Sequence, residues 1–201
     1  AAYTATLGAL QAGMDVCLAQ PHPVFGGQFT TQALPNAEDN RLIKVGSRFN
    51  RLAQESFSIS ASQRRFRDRQ RQLQTVEGQP LLKGDSAWSG ALLTTPVIAA
   101  RAMNEAVAPY LAEGKLILIP FAVPFAVLGP EEQGRLLQVS GVAFQNTRTQ
   151  YNFTVYSKIT IEATELGDLL AIGKIASRVG QEACHQTGED CLPEVAYPEC
   201  Q

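Results

Sequence analysis

Two glycines in succession, Gly26 and Gly27, follow a short apolar run that ends at Gln20. Glycine tolerates positive φ and lets the backbone approach phosphate oxygens closely, as the turns of dinucleotide-binding sheets require. The residue that ends the second strand of such a sheet usually binds ribose through an acidic side chain. Gln20 would do so as a neutral amide, without charge assistance. The pattern predicts a phosphate- and ribose-binding edge, although an ordinary tight turn uses the same glycines.

A second candidate turn lies in the segment Ala163-Thr164-Glu165-Leu166-Gly167-Asp168. Its sequence predicts the end of a strand and the start of a helix, where backbone N–H groups and the helix dipole favour a phosphate. Asp168 would serve equally well as an ordinary cap of that helix. The two turns together indicate a dinucleotide site more strongly than either turn alone.

The elements around the first turn form half of a predicted βαβ unit. Residues 1–12 predict a helix that Gly13 ends, and MDVCLAQ then predicts a short buried strand. Cys17 in that strand is expected to pack as a small hydrophobic residue.

Two further helices are predicted before residue 115. Residues 41–73 read mostly as helix, and its arginines are expected to form a solvated basic surface: Arg64, Arg65, Arg67, Arg69 and Arg71. The other helix begins at its cap, Thr95, has Pro96 in its first position and ends at Gly114. Its apolar stripe is expected to comprise Val97, Ala100, Met103, Val107 and Leu111.

Three β-rich segments lie between residues 115 and 164, divided by the turn-like sequences GPEEQG and NTRTQ. Because no long helix separates them, they predict an antiparallel meander inserted into a sheet. KITIEATELGDLLAIGK then predicts a return to strand, turn and helix.

Composition excludes several classes of function. The chain has 201 residues, of which 45% are hydrophobic and 18% charged, with a formal net charge of −2. This balance gives no general attraction to nucleic acid, and no apolar run approaches the ~20 residues that a membrane span needs. The first residues lack the features of a signal peptide, so the cytoplasm is the preferred compartment. They also lack an initiator Met, so we expect that an upstream part has been removed or left out.

Cysteine and histidine spacing gives no catalytic or metal assignment. Cys184, Cys191 and Cys200 lie in a polar tail with His185, where a disulfide in an oxidising compartment is a better interpretation than zinc. His22 and His185 read as loop histidines. We therefore name no catalytic residue and expect no metal.

Three stretches carry a resemblance to a known family. QAGMDVCLAQPHPVFGGQFT, AWSGALLTTPVIAARAMNEAVAPYLAEGKLILI and KITIEATELGDLLAIGKIASRVGQEACHQTGE resemble, in this order, segments of FAD-dependent oxidoreductases. The resemblance covers most of the chain. It implies an α/β fold, namely an FAD/NAD(P)-binding Rossmann-like domain, truncated at its N-terminus, with an inserted antiparallel β meander and helices.

The resemblance also implies the ligand and its contacts. The cofactor would be FAD, to which a small organic substrate would transfer a hydride. Ala2 would match the third glycine of the G-x-G-x-x-G turn, whose first two glycines are missing. Gln20 would face the adenosine ribose, and Val123 would lie beside adenine. The residues expected along the pyrophosphate and ribityl chain are Gly26, Gly27, Gln28, Ala163, Thr164, Gly167 and Asp168.

Four segments and two alternatives follow. Residues 1–40 would be a partial dinucleotide-binding βαβ unit, 41–114 a helical insertion, 115–157 a β-rich segment, and 158–201 the returning strand, turn and helix with a polar tail. The truncated sheet would recruit a strand from a second copy or another partner. A flavin-free remnant that acts as an interaction module is the main alternative, and a β-rich binding domain at 115–164 is another.

Overall fold

The computed structural model describes residues 1–33, 59–76, 92–132, 135–136, 138–177, 180, 183–188 and 194–195. The chain divides into two compact units. The first unit comprises Ala1–Val123 and Phe144–Val155, and the second comprises Pro124–Ala143 and Tyr156–Gln201. None of the helices in these described ranges is long and apolar enough to cross a bilayer. The division of the sequence into four segments stays a prediction.

The fold is a mixed α/β arrangement with parallel and antiparallel pairing. Its helices are α1 (Ala2–Gln11), a 3-10 turn (Gly27–Phe29), α2 (Ala61–Val76), α3 (Pro96–Ala112), α4 (Asp168–Ile172) and α5 (Cys184–Thr187). Its strands are β1 (Val16–Ala19), β2 (Leu116–Ile119), β3 (Ala122–Leu128), β4 (Glu131–Glu132), β5 (Arg135–Leu136), β6 (Gly141–Asn146) and β7 (Asn152–Tyr156).

A parallel strand pair organises the first unit. β1 pairs with β2 in a register that places Val16 opposite Leu116. Parallel neighbours require a crossover, and α3 lies between the two strands in the chain and contacts β2. The apolar core at this pair is made of Leu10, Leu18, Phe25, Met103, Val107 and Leu116.

Local signals at α1 and β1 predicted these elements well. α1 ends where expected, because Gly13 at φ 82° takes the left-handed conformation that follows a helix. The prediction for Cys17 was wrong, since this residue is exposed. Alternation along the short strand gives the core-facing position to Leu18 instead.

Helix α3 begins as predicted, but its buried face is rotated. The Thr95 hydroxyl oxygen accepts the Ile98 N–H at 3.4 Å, and Pro96 occupies the first turn. Val97 is 74% exposed, and Leu111 is also exposed. The buried residues are Ile98, Ala99, Ala102, Met103 and Val107. Packing against both α2 and the β1–β2 pair selects this wider face, which includes small alanines.

Helix α2 corrects the expectation of a solvated basic surface. Arg67 is only 3% exposed, because it lies on the face of α2 that also carries the buried Leu73. Arg69, by contrast, remains partly exposed and pairs with Glu105 of α3 at 2.5 Å. Residues 41–58 of the predicted helix lie outside the described residues.

The β-rich region forms two small sheets. One has the strand order β3-β6-β7, and β4 pairs antiparallel with β5. β6 and β7 are joined by a tight turn in which the Asn146 N–H donates to the Tyr151 carbonyl oxygen at 2.9 Å. Residues 158–163, predicted as a returning strand, are not a strand in this structure. A strand needs a paired neighbour, and the described ranges provide none for this segment.

Candidate functional site

The twin-glycine turn, residues 25–31, is a compact loop at the surface of the first unit. Gly26 and Gly27 have φ angles of 122° and 51°, both in the range that favours glycine. The Phe29 N–H donates to the Gly26 carbonyl oxygen at 3.1 Å, and the buried Thr30 hydroxyl donates to the Phe25 carbonyl oxygen at 2.9 Å. The turn is therefore fixed by its own hydrogen bonds.

The two glycines have different surroundings. A Cβ at Gly26 would lie 2.7 Å from Thr30 Cγ2, 2.8 Å from Thr30 Oγ1 and 2.9 Å from the Met103 sulfur. The chain itself therefore fills the space beside Gly26. A Cβ at Gly27 would meet no atom within 4 Å, so this glycine faces open space. Of the two, Gly27 has the surface that a ligand could approach.

Gln20 lies directly after β1 and is held by its backbone. Its N–H donates to the Ile119 carbonyl oxygen at 3.0 Å, and its carbonyl oxygen accepts the Ala122 N–H at 2.8 Å. The second bond places Gln20 beside the start of β3, which contains Val123. The side-chain Nε2 of Gln20 is buried, and in the described part of the chain it has no hydrogen-bond partner. A buried donor without an acceptor is unfavourable, so this atom marks an unmet polar interaction.

One apolar core supports most of the predicted residues of the first unit. Ala2, the first residue of α1, packs against the apolar core that contains Phe25 and Leu18. Phe25 directly precedes the twin glycine in the chain, and Leu18 lies two residues before Gln20. Tyr3 stacks on Phe25 with ring centroids 5.2 Å apart, and burial raises the pKa of Tyr3 to about 12. The core thus anchors Ala2, Gln20 and the twin-glycine turn, while Gln28 is exposed.

A side-chain carboxylate organises the candidate turn of the second unit. Glu162 Oε2 accepts the Leu169 N–H at 2.7 Å, and Oε1 accepts the Thr164 N–H. The Thr164 hydroxyl oxygen accepts the Asp168 N–H at 2.8 Å. Gly167 takes a left-handed conformation before α4. Ala163, Thr164, Gly167 and Asp168 are thus gathered in one short loop.

The structure corrects one interpretation and adds one residue. Asp168 does not cap α4, because Gly167 holds the N-cap position and Asp168 begins the helix. Glu162 binds the N–H groups instead, and the sequence interpretation missed it. The sequence did contain a signal for Glu162, namely a carboxylate residue six positions before the start of the helix. Burial raises the pKa of Glu162, but hydrogen bonds from Thr164, Leu169 and Ala163 outweigh it and hold that pKa below its usual range.

We expect Glu162→Gln to loosen this loop. The lowered pKa of Glu162 means that its stabilising effect is complete above the unfolded-state pKa and disappears as pH falls through the folded-state pKa. Bonds to the charged carboxylate should contribute about 1 kcal/mol at this partly exposed position. Hydrogen exchange of the Thr164 and Leu169 amides, corrected for intrinsic rates, should show protection that acid removes in the wild type. Equal protection in the glutamine variant would contradict this role.

Metal and histidine chemistry gain no support in the described ranges. No group of three or more His, Cys, Asp or Glu side chains converges there to hold a metal ion. Cys184 is a free thiol, whereas Cys191 and Cys200 lie outside the described residues. His22 is exposed in the loop before the twin-glycine turn.

Comparison with known proteins gives one match. A family model described as FAD dependent oxidoreductase matches residues 1–199. Neither the curated proteins nor the solved structures contain a significant match. The matched range covers both units and every candidate residue in the two turns.

Proposed function

We propose that this chain, which belongs to the FAD dependent oxidoreductase family, binds FAD beside the β1–β2 pair and oxidises a small organic substrate by hydride transfer to the flavin. FAD is the cofactor that this family uses. The observation that carries the proposal for this chain is the buried, unpartnered Nε2 of Gln20 at the end of β1.

A Rossmann-like arrangement is part of the proposal. It is supported by the order α1, β1, α3, β2 and by the parallel pairing of the two strands. In open α/β sheets, ligands bind outside the carboxyl ends of parallel strands. Gln20 stands at that end of β1, and the chain passes from β2 to β3 beside it. This edge is where adenosine would lie.

The residues of the first unit fit an FAD molecule in their chemistry. The Gln20 amide would donate to a ribose hydroxyl, which supplies the acceptor that the described protein atoms do not. Val123 would contact adenine from the start of β3. The open face of Gly27 would let the diphosphate approach the backbone, with Gln28 beside it. Ala2 would stand at the start of α1, whose dipole favours a phosphate.

The second unit enters the proposal through the family resemblance. Ala163, Thr164, Gly167 and Asp168 would contact the diphosphate from their loop. When bound, FAD supplies the redox chemistry by accepting a hydride from the substrate. The chain's own contribution is to bind and orient the cofactor, and we assign no catalytic acid or base.

Replacing Gln20 by methionine tests the proposed ribose contact. Methionine has a similar length and lacks the donor, so the flavin-free chain should gain about 1 kcal/mol of stability. Its affinity for FAD should fall about fivefold to tenfold, because the ribose bond is lost. Urea unfolding and a titration of FAD fluorescence measure the two effects.

Gln11→Met provides the matched control, since Gln11 is exposed at the end of α1. It should change neither quantity. If Gln20→Met leaves FAD affinity unchanged, Gln20 does not hold the ribose.

One observation favours the alternative of a flavin-free interaction module. The Thr164 and Leu169 N–H groups of the second-unit loop, to which the proposal assigns a diphosphate contact, already bind the Glu162 carboxylate. If the loop functions with its N–H groups bound to Glu162, the chain should not bind added FAD. The Glu162→Gln variant should not bind it either. FAD uptake by the unaltered chain would exclude the module hypothesis.

A further inference from the structure

The turn between β2 and β3 contains a bulky residue in an unusual backbone conformation. Phe121 has a φ angle of 59°, in the left-handed region that favours glycine. This conformation is unfavourable for a side chain of that size, and it persists only where the surrounding contacts hold it in place. Since residues held in this way cluster at ligand-binding sites, Phe121 is a candidate ligand contact.

The turn that joins β6 to β7 holds Phe121 in its conformation. The Thr147 N–H and the Thr147 hydroxyl both donate to the Phe121 carbonyl oxygen, at 2.8 and 3.4 Å. The side-chain amide of Asn146 donates to the Pro120 carbonyl oxygen at 3.4 Å. The Asn146 Oδ1 accepts the Arg148 N–H at 3.0 Å, so the β6–β7 turn is itself fixed. Hydrogen bonds from one turn thus hold the strained residue of the other.

Arg148 extends from the β6–β7 turn to the Phe121 ring. Its guanidinium carbon lies 5.0 Å from the ring centroid, within the range of a cation–π contact. Arg148 is exposed and Phe121 is half-buried, so this contact lies at the surface of the first unit. A guanidinium is planar and stacks on aromatic rings and on nucleobases. The two side chains therefore present a stacking surface that a planar ligand can reach from the solvent.

This surface lies beside the residue to which we assign the ribose. Phe121 directly precedes Ala122, whose N–H donates to the Gln20 carbonyl oxygen at 2.8 Å. A nucleobase is bonded directly to its ribose, so a ribose held by Gln20 would place its base against the residues around Ala122. The contact between Phe121 and Arg148 is therefore next to the position that the proposed function gives to the base.

We propose that Phe121 and Arg148 form a stacking platform for the adenine base of a bound nucleotide, with the base against the exposed side of the guanidinium. The β6–β7 turn positions this platform, because it holds both side chains. Stacking of this kind needs no hydrogen bond to a base edge, and two fused rings offer more surface for it than a single ring. That the nucleotide is FAD rests on the proposed function; the stacking of adenine does not.

Calorimetric titration of the flavin-free chain with ADP tests the platform, with UDP as a probe that has the same diphosphate and a single-ring base. ADP should bind, and UDP should bind about threefold more weakly or worse, because its base has less surface for stacking. Arg148→Ala should weaken ADP binding about fivefold or more and remove the preference for ADP over UDP. Arg65→Ala is the matched control, since Arg65 is exposed on α2, and it should bind both probes like the wild type.

Arg148→Lys separates stacking from charge. Lysine keeps the positive charge but lacks the planar guanidinium, so ADP affinity should fall about threefold or more. Phe121→Gly removes the ring and suits the left-handed backbone, so this variant should fold and should also bind ADP more weakly. The platform is overturned if the wild type does not bind ADP, if it binds ADP and UDP equally, or if either Arg148 variant keeps wild-type affinity.

The results for ADP can be told apart from those for flavin. A chain that binds ADP through Arg148 but retains no FAD after desalting would contradict the proposed function and support the platform. A chain that retains FAD but binds ADP and UDP equally would contradict the platform and support the proposed function.

Discussion

Gly26→Ala should lower the free energy of unfolding by about 2–4 kcal/mol, the largest loss that we expect from a single methyl group in this turn. The added Cβ would lie within 2.9 Å of Thr30 and Met103 side-chain atoms. Thr30 cannot rotate away without losing its hydrogen bond to the Phe25 carbonyl oxygen. Met103, a residue of α3, is buried in the apolar core of the first unit. The φ angle of 122° adds backbone strain for alanine.

Urea unfolding of this variant and the wild type measures the loss. Gly8→Ala is a suitable control, because a Cβ at Gly8 in α1 meets no atom within 4 Å and alanine favours a helix. That control should keep or slightly raise stability. A Gly26→Ala variant as stable as the wild type would mean that the twin-glycine turn is not packed as described.

Gly27→Ala should weaken flavin binding by at least as much free energy as it costs the fold. A Cβ there meets no protein atom within 4 Å, and the φ angle of 51° costs alanine only about 1 kcal/mol. The same methyl group would project into the space that we assign to the diphosphate. We expect FAD affinity to fall at least tenfold, which corresponds to about 1.4 kcal/mol or more of binding free energy.

The measurement is a fluorescence titration with FAD alongside urea unfolding of the same protein. Stability close to that of the wild type ensures that the affinity change is local. If Gly27→Ala binds FAD as tightly as the wild type, the diphosphate does not pass this glycine. Together with Gly26→Ala, this variant separates the structural glycine from the one that we assign to the ligand.

Elements with local signals could be predicted from the sequence. Thr95, Pro96 and Gly114 define the ends of α3 through capping chemistry that involves only neighbouring residues. Gly13 ends α1 for a similar reason. The family was also identified from short motifs, and the match over residues 1–199 confirms it.

Features that depend on tertiary partners were missed. The sequence predicts Arg67 on a solvated surface, because its burial depends on where α2 packs and not on its neighbours in the chain. Glu162 was not singled out, since its role requires the loop to bring Thr164 and Leu169 to its two oxygens. Residues 158–163 have β-forming composition, yet a strand forms only with a neighbour to pair with.

The identity of the cofactor and the assignment of its individual contacts rest on different observations. FAD follows from the family to which the chain belongs. The contacts of Gln20, Gly27 and the second-unit loop are proposals, supported in the first unit by an unpartnered amide and an open glycine face. Packing alone requires glycine at position 26, because a Cβ there would clash with Thr30 and Met103. A sequence pattern does not distinguish this requirement from ligand binding.

An absorbance spectrum of the purified chain, recorded before and after incubation with FAD and desalting, tests the central claim most directly. We predict that the chain retains the visible absorbance bands of bound flavin after desalting. A flat spectrum, from a chain that circular dichroism confirms to be folded, would contradict flavin binding by this chain and favour the interaction module.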